Sequence, residues 1–262
     1  MMRALWSAAA GMNVQTTNMD AISNNLANLN TNGYKSTRAE FQDLLYQTIN
    51  VAGTNTSSTT TQPGSLQLGA GSKLSAMVKD FSTGTTQSTD SPYNMAIQGE
   101  GFFQVLMTDG TYAYTRDGSF TTDQNGNLVT SSGLSLYPQI TVPQDATSVT
   151  IATDGTVTIT TQGQTTPQQV GQITIANFIN PNGLTSLGQN LLQQTLASGD
   201  PIQGVPGQTG LGTIQQNALE GSNVDMATEM VNMIVGQRAY EANSKTIQTC
   251  DQMLQLVNNL KR

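Results

Sequence analysis

Two stretches of this chain carry apolar residues at a spacing of seven, and they lie at its opposite ends. Near the start, Leu5, Met12, Met19 and Leu26 form one line, with Ala8, Ile22 and Leu29 on a companion line and Gln15 as its polar defect. Side chains repeating every seven residues make one stripe of a helix. The pattern predicts a helix from about residue 3 to 29, roughly 40 Å long at 1.5 Å per residue, with Asn32–Gly33 as its left-handed stop. Near the end, Met226, Met233, Tyr240, Ile247 and Leu254 repeat in the same way, joined by Cys250 and Val257. Ser222, Asn223 and Asp225 offer capping side chains, and Lys261 and Arg262 close the last turn, so a second helix is predicted over about 224–259.

Between them the period changes from seven to two. Phe102-Phe103-Gln104-Val105-Leu106, then Asp109-Gly110, then Tyr112-Ala113-Tyr114-Thr115 reads as a hairpin. Asp117-Gly118, Asn125-Gly126 and Ser132-Gly133 punctuate the short strands that follow. Val149 and Ile151, a turn at Asp154-Gly155, Val157 and Ile159, and later Ile173 and Ile175 make a second set. Alternation with polar residues marks sheets with one dry face. The expected class is α+β: long N- and C-terminal helices pairing in a coiled-coil-like bundle, with an antiparallel β-rich middle domain.

The expected organisation is an N-terminal helical segment over 1–35, an extended linker region over 36–95, a β-rich domain over 96–198, a return linker over 199–221 and a C-terminal helical segment over 222–262. The first linker contains a Thr/Ser-rich insert at 50–64, too poor in apolar residues to build a core.

Composition narrows the function. The chain of 262 residues is 36% hydrophobic and only 10% charged, with 25 glycines, so its polarity comes from uncharged side chains. A net charge of −7 and scattered basic residues argue against a nucleic-acid partner or an anionic membrane surface. No apolar run is long enough to span a bilayer, and residues 1–10 read as part of the first helix rather than as a cleaved signal. Histidine is absent, which removes His-based triads and His-ligated metals; the single Cys250 reads as a packing residue. No catalytic residue, cofactor or metal is expected. The Gly69–Lys73 stretch lacks the spacing of a phosphate loop, Asp123-Gln124-Asn125-Gly126-Asn127 reads as a turn rather than a calcium loop, and Glu100, Asp109, Asp117 and Asp123 sit in or near turns. Arg116, beside two tyrosines, either pairs with a carboxylate and braces the sheet or is a solvated strand-end charge.

What remains is architecture. Seams that pack on neighbouring copies as well as on each other would build a helical polymer. The seam residues are Leu5, Met12, Met19, Ile22, Leu26, Leu29, Met226, Met233, Tyr240, Ile247, Leu254 and Val257. In the stretch SNNLANLNTNGYK at 23–35, Asn24, Asn25 and Asn28, with Gly33, are candidate register or lattice contacts, because a buried amide tolerates few partners.

These residues also carry a family resemblance. Asn24-Asn25-Leu26-Ala27-Asn28, Thr31-Asn32-Gly33-Tyr34-Lys35 and Arg38 resemble the N-terminal signature of the bacterial flagellar rod and hook proteins. Gly101-Phe102-Phe103-Gln104-Val105 and Tyr114-Thr115-Arg116-Asp117-Gly118-Ser119-Phe120 are similar to the family's β-domain. The stretch from Glu229 to Ile234 and that from Gln237 to Lys245 resemble its C-terminal signature. Within the family, chain length and the insert between Tyr46 and Gly71 resemble the distal-rod members rather than the longer hook subunits or the proximal-rod subunits. The resemblance implies a non-enzymatic, self-assembling subunit of a periplasmic tube that passes motor torque to the hook. It implies copies of itself, proximal rod proteins, the hook protein, P-ring and L-ring proteins and the flagellar type III export apparatus as partners. The competing readings are another member of the same axial family, a carboxylate-based secreted hydrolase, or a binding module whose helices only dimerise.

Overall fold

The computed structural model describes residues 2–50, 55–57, 60–61, 64–161, 166–208 and 210–259. Much of the Thr/Ser-rich insert, and the Lys261 and Arg262 expected to close the second helix, lie outside these. Two helices flank a β-rich middle, so the class is α+β. The chain forms two compact units, one of Met1–Leu26, Thr37–Val78 and Asp225–Arg262, the other of Ala27–Ser36 and Lys79–Val224.

In the first unit, helix α1 runs Met2–Ala27 and helix α2 runs Met226–Asn259. Helix α1 ends two residues earlier than the apolar spacing predicts, and Leu29 falls in the turn beyond it. The Thr31 main-chain N–H and hydroxyl both donate to Asn28, to its main-chain oxygen at 3.2 Å and to Oδ1 at 3.1 Å, closing a tight turn that diverts the chain. Gly33 has the anticipated left-handed φ of 67°, but six residues past the helix, so it is not that helix's stop. Helix α2 starts where Asp225 caps it: Oδ1 accepts the Ala227 N–H at 3.2 Å and Oδ2 accepts the Thr228 hydroxyl at 2.6 Å. These bonds to the charged form, the Thr228 hydroxyl first, hold the Asp225 carboxyl below its ordinary value.

The helices run antiparallel where they touch. Asn25 bonds to Glu229, Met19 and Gln15 lie against Gly236, and Gly11 lies against Asn243, so contacts descend α1 as they ascend α2. The same unit holds strand Thr37–Asp43 paired with Ser72–Lys79, and Tyr46–Asn50 paired with Leu66–Gly69.

The second unit is built on a nine-stranded antiparallel sheet. Its spine is Phe102–Leu106, hairpinned to Tyr112–Thr115 with Ala113 opposite Val105, as the Asp109-Gly110 turn predicts. The other edge of Phe102–Leu106 is shared: Ser135–Tyr137 pairs with its second half and Ile175–Asn177 with its first. Asn125-Gly126 and Asp154-Gly155 close hairpins as read. The spine does not have one dry face. Phe103 and Val105 enter a core with Phe120, Leu136, Ile140 and Ile175, while Phe102 on the opposite face packs with Tyr114, Phe178 and Leu192. Gln104, on that second face, is therefore buried too.

Candidate functional site

Of the α1 seam residues Ile22 lies in the buried face, and the line from Leu5 to Leu26 occupies its edge. Ala8, Val14, Ala21, Ile22 and Asn25 are buried, whereas Leu5, Met12, Met19, Leu26 and, beyond the helix, Leu29 are half-buried. At 100° per residue, the line through Leu5 and Leu26 is rotated by somewhat over a quarter turn, about 110°, from the mean direction of the buried side chains.

Helix α2 is far more open. Gly236 and Cys250 are its only buried members among the described residues. Met233 and Ile247 are half-buried, and Met226, Tyr240, Leu254 and Val257 are exposed. A further set of large apolar side chains, Met230, Val231, Ile234, Val235 and Leu256, stands 50–63% exposed. Apolar spacing found the helix but underestimated this second face. The missed signal was the 4-residue repeat Met226, Met230, Ile234 with Val231 and Val235 beside it, which makes the helix apolar on more than one side.

The asparagine-rich stretch is used in several ways. Asn25 is buried at 2% exposure and spends its amide inside the chain. Its Oδ1 accepts the Thr37 N–H at 2.9 Å, and its Nδ2 donates to the Thr37 carbonyl and to Glu229 Oε1, both at 2.9 Å. Asn28 receives the Thr31 bonds, and Asn24 is exposed on α1. Gly33 is buried; its N–H donates to the Glu220 carbonyl at 2.8 Å, and a Cβ there would lie 2.6 Å from the Asp117 nitrogen.

Three sequence-distant segments of the second unit meet, together with Arg116, in a polar collar around a buried ion-pair centre. Lys35 Nζ donates to Glu220 Oε1 and to the Ser82 carbonyl, each at 2.6 Å. Arg116 Nη1 reaches Glu220 Oε2 at 3.4 Å, and its guanidinium lies 5.2 Å from the Phe102 ring centroid. The solvated reading of Arg116 thus gives way to the bracing one: its side chain is 3% exposed. Gly84 N–H donates to Glu220 Oε1 at 3.0 Å. Asn223 Oδ1 accepts the Ser36 N–H at 2.7 Å, and its Nδ2 donates to the Asp80 carbonyl at 2.8 Å. Burial pushes the Lys35 ammonium and the Arg116 guanidinium below their ordinary values, against the opposing pull of Glu220. Lys35 and Glu220 are 185 positions apart, and nothing in local spacing announces the pair.

The carboxylates weighed for hydrolysis have local work. Asp117 Oδ1 accepts the Ser119 N–H at 3.0 Å and hydroxyl at 2.7 Å, and Asp123 Oδ1 accepts the Gln124 N–H at 2.6 Å. Glu100 Oε2 accepts Asn177 Nδ2 at 3.2 Å, and Asp109 is exposed in its hairpin turn. These are contacts that shape turns and loops.

Comparison with known proteins agrees with the motifs. Residues 5–35 match the model described as flagella basal body rod protein, 96–159 that of the flagellar hook protein FlgE/F/G D1 domain, and 215–260 that of the flagellar basal body rod FlgEFG protein C-terminal. The chain is 51% identical to the flagellar basal-body rod protein FlgG of Borreliella burgdorferi, covering 100% of both chains. It is 48% identical to the FlgG of Caulobacter vibrioides, covering 99% of this chain and 100% of that one. To the flagellar hook protein FlgE of Escherichia coli it is 25% identical, in an alignment of 420 residues covering 98% of this chain and 100% of the other. Motifs at both ends and in the middle therefore occur together and in order, and at full length the agreement is twice as strong with rod proteins as with the hook protein: the chain belongs to the FlgG family of flagellar basal-body rod proteins.

Proposed function

We propose that this rod-family subunit polymerises through its terminal helices into the distal rod, a straight helical tube that transmits motor torque to the hook. The observation that carries the reading is the open face of α2. Met230, Val231, Ile234, Val235, Leu256 and Val257 stand 50–63% exposed on one helix, and burying a side chain of this size contributes about 1.5–3 kcal/mol. An exposed apolar face of that extent calls for a protein surface to cover it. In the assembled tube the seams of α1 and α2 pair as a coiled-coil-like bundle and pack on neighbouring copies, while Asn24, Asn28 and the Asn25 amide set register. The terminal helices complete their folding as copies add, and the Thr/Ser-rich insert stiffens the tube.

The role proposed is mechanical, without a reaction or cofactor. The tube stands in the periplasm, joined to proximal rod proteins and the hook protein and turning within the P-ring and L-ring proteins. The subunit reaches it through the flagellar type III export apparatus without a cleaved signal. Electron microscopy of the concentrated protein tests the central reading: helical tubes are expected. A finite oligomer at every concentration in sedimentation would overturn it.

A further inference from the structure

The collar has a keystone. Glu220 accepts from Lys35, Gly84 and Arg116 through its carboxylate and from Gly33 through its carbonyl, and its strand pairs with 86–88. From the passage 220–223 its bonds therefore reach 33–36, 80–84 and Arg116, which follows the strand Tyr112–Thr115. These passages are also where the chain changes unit: three of the changes, after Ser36, Val78 and Val224, fall within four residues of a collar contact. We propose that Glu220 is a positioning residue, a charge lock that holds the three passages of the β-rich unit together and so fixes the points from which both terminal helices are tethered.

The physical case rests on charge balance and close approach. One carboxylate serves two cations, and the side chains of Lys35, Arg116 and Glu220 are only 2–4% exposed. Removing the anion leaves two buried cations facing each other with only the more distant Asp80 and Glu100 to offset them, which is strongly unfavourable. The passages also approach too closely to accept side chains. A Cβ on Gly84 would lie 2.2 Å from the Gly221 carbonyl oxygen, so the backbones touch directly. The core cluster of Phe103, Val105 and Ala113, on the face of the spine strand opposite the Phe102 ring that meets Arg116 and Phe81, uses none of these bonds. Opening the collar should therefore free the tethers and leave the core folded, as local unfolding of a separate cooperative unit.

In the polymer reading, load on either helix reaches the β-rich unit through this collar; that consequence rests on the proposed rod role, whereas the lock does not. Amide exchange by NMR on the full-length monomer therefore tests it independently of tube formation. In Glu220→Gln the amides of Gly33, Ser36, Asp80, Gly84 and Gly221 should exchange at least about tenfold faster, while those of Phe103, Val105 and Ala113 keep their wild-type rates. Lys35→Met with Glu220→Gln should recover part of the protection, because one of the two stranded cations is gone. Unchanged collar exchange, equal loss in collar and core, or no recovery in the double variant would each overturn the lock. Should Glu220→Gln fail to fold, Lys35→Met alone must show the same local pattern at smaller amplitude, and its absence would be equally fatal.

Discussion

The side-chain amide of Asn25 and the main chain of Thr37 exchange two hydrogen bonds, both of 2.9 Å. The amide stands in for the backbone of a neighbouring strand, so the last turns of α1 grip the first residue of the strand Thr37–Asp43. The same Nδ2 reaches Glu229 in the first turn of α2. Asn25→Leu keeps the volume but strands the polar groups of Thr37. Leaving a buried donor or acceptor unpaired costs about 1–3 kcal/mol, so the urea midpoint should fall clearly. Ser23→Ala, two residues away and exposed, should shift it by no more than about 0.5 kcal/mol. Equal effects of the two substitutions would contradict the assignment.

Gln104 calls for the opposite outcome. It lies in the buried spine strand, and neither of its side-chain amide atoms has a hydrogen-bond partner. Its cross-strand neighbours are Tyr114 and Tyr137. Gln104→Met keeps the length and removes the desolvation cost of the amide. Its denaturation midpoint should equal or exceed the wild-type value; a marked fall would show that the amide has a partner.

Alkaline stability should carry the signature of Lys35. Burial holds its folded-state value below the ordinary 10.5, despite Glu220. Between those two values the unfolded chain binds more protons than the folded one, so this residue's contribution rises with pH up to 10.5. Tyr114 works the other way, since burial raises its phenol above 10.0 and folding then weakens as pH climbs past that value. In urea titrations at stepped pH, the rising limb on the way to pH 10.5 should be shallower in Lys35→Met than in wild type, what is left belonging to Lys79, which burial lowers in the same sense. A limb of equal slope in the two proteins would take Lys35 out of the account.

The open face of α2 separates folding from assembly. Val231 and Val235 are 59% and 61% exposed, so Val231→Asp with Val235→Asp should leave monomer stability within about 0.5 kcal/mol per site. Buried against a neighbouring copy, the same carboxylates would be heavily penalised. Tubes should therefore vanish from micrographs while the thermal midpoint of the monomer holds. Tubes formed as readily as by wild type would remove this face from the contact set.

Removing residues 50–65 probes the insert. Assembly should persist, with tubes that curve or bend more than wild type. Straight tubes from the shortened chain would argue against a stiffening role.

What the sequence determined by itself was everything set by short-range periodicity. Sevenfold apolar spacing marked both helices to within two residues at the ends compared, because intrahelical bonding repeats locally. The Asp109-Gly110, Asn125-Gly126 and Asp154-Gly155 pairs located hairpins, since a left-handed glycine is a local demand of the turn. Only the tertiary structure decided which face each stripe would use. The line through Leu5 and Leu26 fell at the edge of contact because helix rotation is set by the partner surface. It alone also buried Phe102 and Phe103 on opposite faces of one strand, and brought Lys35, Arg116 and Glu220 together across 104 and 185 positions. Such pairs follow from topology and desolvation, which depend on the whole chain and leave no trace in the spacing of neighbours.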